Sequence, residues 1–488
     1  MQTILPTRLP DDQSPRFIGI DLAKAESQLA LLDASGKQIH CIRFASTREN
    51  FAKLAAELSP LDAVAMEATT NAFSIARILL PSGARVVISD PLKTKVIATA
   101  KVKTDKIDAR VLAELLRVDY LPTVWLPDLD TEQLRHLMSD RQSLVDRRTE
   151  LKNRLHAVLH RELLTLERSD LFGNSGQQAL AALLNDPSLN EMERYRLQTT
   201  LAEIQHTNAE IESCEKRLAA FICQRPKLLS QLDILVSITG ISLVVGAGLL
   251  AAIGDIKRFS SADKVAAYFG LVPSTYQSGN AKAFHGRITK QGRAQARWLL
   301  IEAAQHLKSA PSPLRALYDR IARKRGHNVA VVAVARKLAE LVWHLLTKGE
   351  DYLYAMPRLT DEKRARIRQF ARATGVKAQS GVKKGATLSP LYGTGEQGRK
   401  VKTEIVRTAS LEAEQCYTEI VAARHLGVAA QLPSDFNPTK PNVVDWQKVL
   451  EKAAASLAQS RRPAQTAEEN LSVSEAAASA SRPVKDTL

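Results

Sequence analysis

Four carboxylates stand where an acid needs a reason. Asp21 interrupts the apolar run Phe17-Ile-Gly-Ile-Asp21-Leu-Ala, and Glu67 closes Ala63-Val-Ala-Met-Glu67. Burying an unpaired carboxylate costs on the order of several kcal/mol. Two strands that each carry one therefore point to a shared divalent ion. A third stretch, Lys103-Thr-Asp105-Lys-Ile-Asp108-Ala-Arg110, holds two more acids three residues apart. On a helix that spacing puts both on one face. Together Asp21, Glu67, Asp105 and Asp108 supply hard oxygen donors suited to one or two Mg²⁺ ions. Such a site can activate a nucleophile and stabilise a leaving oxygen in phosphodiester chemistry. Taken singly, each acid reads as a strand-end cap or a surface ion pair; the set of four favours the metal.

A second constellation lies further along. Gly270-Leu-Val-Pro273-Ser-Thr-Tyr-Gln-Ser278-Gly279 is followed by His285-Gly-Arg287-Ile-Thr-Lys290-Gln-Gly292-Arg293, then Arg297. Residues 281–300 contain five Lys or Arg and no Asp or Glu. This is a phosphate-binding composition. Gly292 before a helical run sets basic side chains and free N–H groups near one spot. Arg287, Lys290, Arg293 and Arg297 are the expected nucleic-acid contacts. The alternative is a solvated helix face beside an ordinary Ser-Gly turn.

The elements that must position these residues begin with short strands at 17–22, 28–33 and 38–45, with a turn at Asp33-Ala-Ser-Gly36. A helix is expected over 47–58, with Thr47 as its N-cap. A strand at 62–66, a helix over 71–80 and a strand at 84–89 follow. The order β-β-β-α-β-α-β-α suits a ribonuclease-H-like mixed sheet better than a dinucleotide-binding fold, which alternates from its start. Leu137, Leu144, Leu151 and Val158 recur every seven residues, as do Leu197, Ile204, Ile211 and Leu218. Each series marks one face of a long helix, in a coiled-coil hairpin or a dimer arm. The linker at Phe172-Gly-Asn-Ser-Gly-Gln reads as a loop. Residues 228–355 read as mostly helical, with a polar loop at 270–292.

The fold class is thus α/β plus α. Its expected parts are a metal-binding sheet domain at 1–125, coiled-coil helices at 126–227 and a serine-containing domain at 228–360. A helical extension at 361–459 and a disordered tail at 460–488 complete the chain. The stretch 234–254 has no charge and the length of a membrane span. Its centre, Thr239-Gly240-Ile241-Ser242, makes two buried helices around a turn the better reading, so no membrane partner is expected. The turn resembles a helix-hairpin-helix whose usual second glycine is Ser242, so packing competes with DNA contact as its role. Gly393-Thr-Gly395-Glu-Gln-Gly398 matches a dinucleotide fingerprint formally, but it follows no strand and reads as a loop.

Composition narrows the partner. Across 488 residues, 68 Lys and Arg outnumber 52 Asp and Glu, a formal +16 that points to a polyanion. Aromatics are only 5%, which disfavours a stacking-based single-strand binder. Four dispersed cysteines argue against a disulfide framework and fit a reducing cytoplasm. The first 17 residues carry acids and no long apolar run, so a signal peptide is not expected there.

IGIDLAK (18–24), AMEAT (65–69), KTDKIDAR (103–110), ITGISLVVGAGLLAAIGDIKRF (238–259), AAYFGLVPSTYQSG (266–279) and GRITKQGRAQARWLLIEAA (286–304) occur in that order. The ordered set resembles the DEDD-type insertion-sequence transposases of the 110 and 1111 family, over roughly residues 16–355. The resemblance implies a RuvC-like N-terminal domain, a coiled coil and a C-terminal transposase domain. It implies that Asp21, Glu67, Asp105 and Asp108 are the metal ligands. It implies a serine nucleophile that joins covalently to DNA, placed on Ser278 with Ser274 as fallback. It further implies DNA partners at element ends and target, a structured non-coding RNA bridging them, and a homodimer or homotetramer in the bacterial cytoplasm, on the nucleoid when active. A site-specific DNA invertase of the same family, a RuvC-like nuclease using metal alone, and a non-catalytic DNA-binding protein are the competing functions. The nuclease needs the carboxylates but not Ser278. The architectural protein leaves the acids within apolar strands unexplained.

Overall fold

A computed structural model describes residues 3–8, 13–97, 104–164, 166, 170–187, 189–277, 283–307 and 312–377. The chain divides into two compact units, one ending at Asp128 and the other beginning at Leu129.

The first unit holds β1 (Arg16–Asp21), β2 (Glu26–Leu32), β3 (Gln38–Ala45), α1 (Arg48–Glu57), β4 (Asp62–Glu67), α2 (Ala72–Leu79), β5 (Arg85–Ser89), α3 (Pro91–Ile97), α4 (Asp105–Arg117) and β6 (Thr123–Val124). The strands form one mixed sheet in the order β3-β2-β1-β4-β5-β6. β1, β2 and β3 form the antiparallel meander, while β4 and β5 lie parallel to β1. The expected strands and the Thr47 cap are present, with the Asn50 N–H donating to the Thr47 hydroxyl. The short helix α3 and the two-residue β6 are not expected from the sequence; neither is long enough to show periodicity.

Side chains alternate between the faces of this sheet. Ile18, Ile20, Val64 and Met66 face one layer, with Phe51, Leu54, Ile75 and Leu79 from α1 and α2. Ala63 and Ala65 face the other, under Leu112 and Leu116 of α4. Small residues on that face let α4 sit very low. A Cβ at Gly19 would meet the Ala109 carbonyl oxygen at 1.9 Å and the Ala113 nitrogen at 2.6 Å.

The second unit opens with α5 (Leu129–Arg161), α6 (Asn174–Leu184) and α7 (Glu191–Cys223). The seven-residue series predict helices here, and α5 and α7 pack on each other within one chain. Leu197, Ile204, Ile211 and Leu218 are all buried in that seam or the adjoining core, as are Leu151 and Val158, whereas Leu137 and Leu144 are half-buried. The linker is not all loop: α6 starts at Asn174, with Gly173 as its cap residue, and buries Gly176 and Leu180. The glycines that read as loop serve a helix start and a close contact.

Next come α8 (Pro226–Val236), α9 (Leu243–Ile253), α10 (Ala262–Tyr268), β7 (Pro273–Tyr276), β8 (Phe284–Ile288), α11 (Ala294–Leu307), α12 (Pro313–Arg325), α13 (His327–Lys348) and α14 (Pro357–Arg372). α9 carries no charge because it is buried from Val245 to Ile253, centred in a core shared with α8, α11 and α13. Gly240 turns the chain between α8 and α9 at φ +90°, with the Ala303 carbonyl 2.6 Å from where a Cβ would stand. Among the described residues no helix is long and apolar enough to cross a membrane. The expected polar loop at 270–292 is instead a two-stranded antiparallel ribbon, β7 against β8. The expected tail, the extension beyond Lys377 and the glycine run at 393–398 lie outside the described residues.

Candidate functional site

Parallel pairing of β1 and β4 matches Gly19 with Ala65 and Ile20 with Met66. One residue further, Asp21 and Glu67 end their strands side by side. Two residues beyond Gly19 and Ala65, both point to the face that α4 covers. Both are half-buried. α4 runs against β1 with Ala109 over Gly19 and Leu112 and Leu116 further back, so its first turn lies over the strand ends. That turn holds Asp105 and Asp108. Thr104 caps it, its hydroxyl accepting from the Ile107 N–H at 3.4 Å, and acids are favoured there by the helix dipole. The four acids therefore collect at one end of the sheet, all as hard carboxylate donors.

They are not drawn into a ligating cluster. Among the described residues, no three Asp, Glu, His or Cys side chains lie close enough to hold a metal. Asp105 is turned outward to Arg43 of β3, Oδ2 to Nη2 2.9 Å, in an exposed ion pair. Arg43 also reaches Glu26, at 3.9 Å.

A further strand acid, Asp62, is structural. It opens β4 at the opposite end from Glu67 and is buried beneath Arg16 and Arg8, at 2.7 and 2.6 Å. Burial works to raise its pKa, but hydrogen bonds from Arg16 and the Ser59 N–H, with the charges of Arg16 and Arg8, hold it below the usual carboxylate range.

In the second unit, Ser278 and Lys282 lie outside the described residues, in the sequence joining β7 to β8. Ser274 is on β7, and its hydroxyl donates to the Arg287 carbonyl across the ribbon at 3.2 Å. Among the described residues, the Arg287 and Lys290 side chains are exposed and have no hydrogen-bond or ion-pair partner. The other two expected cations are partly committed inward. Arg293 donates to the Tyr268 hydroxyl at 2.9 Å, and half-buried Arg297 to the Phe269 carbonyl at 2.9 Å.

Tyr268 is the hub of a cluster that the sequence does not announce. Arg258 lies over its ring at 4.5 Å and over Phe259 at 4.1 Å. Arg135 of α5 and Arg258 both donate to the last carbonyls of α9, Ala251 and Ile253, at 2.8 and 2.9 Å. Burial, then the charges of Arg293 and Arg258, pushes Arg135 down to about 10. Burial would raise the Tyr268 hydroxyl, but the bonds and charges of Arg293 and Arg258 hold it below the ordinary phenol value. The three arginines come from segments far apart in sequence, and no local pattern links them.

Known proteins match this chain in two blocks. A model described as transposase, of the DEDD IS110 type, matches residues 18–163. A model of the transposase IS116/IS110/IS902 family matches residues 232–319. The transposase for insertion sequence element IS1111A of Coxiella burnetii is 28% identical over 69% of this chain and 91% of its own. The transposase for insertion sequence element IS1328 of Yersinia enterocolitica is 26% identical over 68% and 97%. An uncharacterized 44.8 kDa protein of insertion element IS116 from Streptomyces clavuligerus is 26% identical over 70% and 97%. The first block contains Asp21, Glu67, Asp105 and Asp108; the second contains Ser278 and the basic ribbon.

Proposed function

We propose that the chain, which matches the DEDD IS110-type and IS116/IS110/IS902 transposase models in two blocks, is a transposase of that kind and cleaves and rejoins DNA strands through a Mg²⁺-binding carboxylate site and a serine nucleophile. The observation that carries this reading is the placement of Asp21 and Glu67 side by side beneath the first turn of α4, with Asp105 and Asp108 on that turn. Asp21, Glu67, Asp105 and Asp108 are the residues that would hold Mg²⁺. Bound there, the ion supplies Lewis-acid stabilisation of phosphate oxygens. Asp105 would exchange its Arg43 partner for this role.

Ser278 is the nucleophile of the proposal. Its Oγ attacks phosphorus, one Oγ–P bond forms, one P–O bond of the strand breaks, and the departing sugar oxygen takes up a proton. The serine needs a base to accept its own proton; the carboxylates are the groups proposed for this, from the same chain or another. The phosphoserine keeps the phosphodiester energy, so attack by a new sugar hydroxyl rejoins a strand without a high-energy cofactor. Arg287 and Lys290 offer exposed charge for the backbone. A RuvC-like identity for the sheet unit, a structured non-coding RNA that brings donor and target together, and a dimer or tetramer complete the proposal.

The test is a nicked or suicide DNA substrate with Mg²⁺, followed by mapping of the adduct. Wild type should trap covalently on Ser278, and Ser278→Ala should lose the adduct while still binding DNA. An adduct on Ser274 would move the nucleophile. Full cleavage by a chain carrying Ser278→Ala and Ser274→Ala would replace the proposal with a metal-only nuclease.

A further inference from the structure

The ribbon of β7 and β8 has two unlike faces. Tyr276 pairs directly with Phe284, and Thr275 with His285. Directly paired residues share a face; beyond Thr275 the register shifts, with Pro273 opposite Ile288, so β8 carries one extra residue at Gly286 and Arg287. Tyr276 and Phe284 share theirs with Ser274 and Gly286, whose backbones lie close enough that a Cβ at Gly286 would meet the Ser274 hydroxyl at 2.5 Å. The two rings are 67% and 68% exposed. Among the described residues neither makes a hydrogen bond or contacts another ring. Ser274 and Gly286, their neighbours on that face among the described residues, are small and leave the rings open.

Two large exposed rings at one cross-strand position give up the gain of burying them. The surroundings say what covers them. The segment 281–300 carries five cations and no acid, and Arg287 on β8 and Lys290 just after it are exposed. An apolar protein partner gains nothing from that charge, whereas a nucleic acid supplies both a phosphate for the cations and a π-face for the rings. Duplex bases are already stacked, so the rings fit bases that have left the stack. An aromatic content of 5% argues against stacking across the whole surface, but a shelf needs only two rings.

We infer that Tyr276 and Phe284 form a stacking shelf for unpaired bases of the DNA strand being cut. This rests on the reading of the chain as a strand-cleaving enzyme and adds a contact with bases rather than phosphates. In sequence the two rings bracket Ser278, the residue proposed to attack the bond to be broken.

The probe is a single-stranded oligonucleotide containing 2-aminopurine, titrated into the full chain and into Tyr276→Ala, Phe284→Ala, the double variant and Tyr276→Phe. Wild type and Tyr276→Phe should quench the fluorophore. Each alanine should weaken single-strand binding roughly tenfold, while fully paired duplex binding and its salt dependence stay unchanged. Quenching and single-strand affinity that survive in the double variant overturn the shelf. So does a fall in oligomer mass of the double variant by light scattering, which would make the rings a contact between proteins. The strand-transfer reading fails separately: a wild-type chain that quenches 2-aminopurine but forms no covalent adduct keeps the shelf and loses the nucleophile.

Discussion

At the scale of single residues, the sheet unit separates two kinds of acid that look alike in sequence. Asp62 and Glu67 bound the same strand, yet one is sealed beneath two arginines and the other ends beside Asp21. Removing one partner of a buried ion pair costs about 3–5 kcal/mol, so Asp62→Asn should lower the denaturant midpoint severely, leaving Arg16 buried without its carboxylate. The sign with pH follows from the depressed pKa. The stability Asp62 contributes is complete above the unfolded aspartate value and is lost as pH falls through the lower folded value. Acid unfolding of Asp62→Asn should therefore have a shallower limb; equal limbs for Asp62→Asn and wild type would remove the pair from the stability of the sheet. Glu67 is legible because it ends an apolar strand. Asp62 escapes notice because it opens one, where an acid looks like an ordinary cap, and its partners Arg8 and Arg16 lie about fifty residues away in the chain.

At the scale of elements, the helix carrying two of the four acids depends on a residue that has no side chain. α4 lies against β1 at Gly19, and a methyl group there would overlap the Ala109 carbonyl. Backbone cannot rotate away as a side-chain tip can, so Gly19→Ala must lift α4. Overpacking of this kind costs about 1–3 kcal/mol. The expected outcome is a lowered melting temperature, together with loss of Mg²⁺-dependent cleavage exceeding that loss of stability, because Asp105 and Asp108 move with the helix. Cleavage that stays normal in a destabilised Gly19→Ala would mean the first turn of α4 does not serve the reaction. The pair Asp105 and Asp108 is readable from its spacing, and the strand ends from their apolar runs. The ribbon is not. Val272-Pro-Ser-Thr-Tyr and Phe284-His-Gly-Arg-Ile lack the apolar alternation of a half-buried strand, because this ribbon leaves one face to solvent and the other to two bare rings. The outward turn of Asp105 is equally hidden, since Arg43 comes from a different part of the sheet.

At the scale of the molecule, an excess of sixteen positive charges makes salt the natural probe. Each phosphate that a cation no longer neutralises should flatten the log–log dependence of DNA affinity on salt by about 0.7–0.9. Arg287→Ala with Lys290→Ala should therefore reduce the slope by nearly two such steps, with folding unchanged, as both side chains are exposed. Arg297→Ala should act differently, through stability, because its guanidinium supports the Phe269 carbonyl. A slope untouched by the double variant would assign the ribbon's cations to the solvent. The heptad series also bear on this scale. The α7 series and the Leu151 and Val158 half of the α5 series are buried within one chain, while Leu137 and Leu144 stay half-buried.

The seam between α5 and α7 has a metric consequence. Two helices of 33 residues, at about 1.5 Å per residue, make a rod of roughly 50 Å. Because α5 and α7 mesh through a seven-residue repeat, the rod changes length without losing its fit only by whole repeats taken from both helices, about 10 Å at a time. Any other change turns the far end, with α6 and the exposed Met192 and Tyr195, about the rod's axis. Distance and azimuth at the tip are locked to each other, so the reach of this arm is graduated like a ruler rather than freely adjustable.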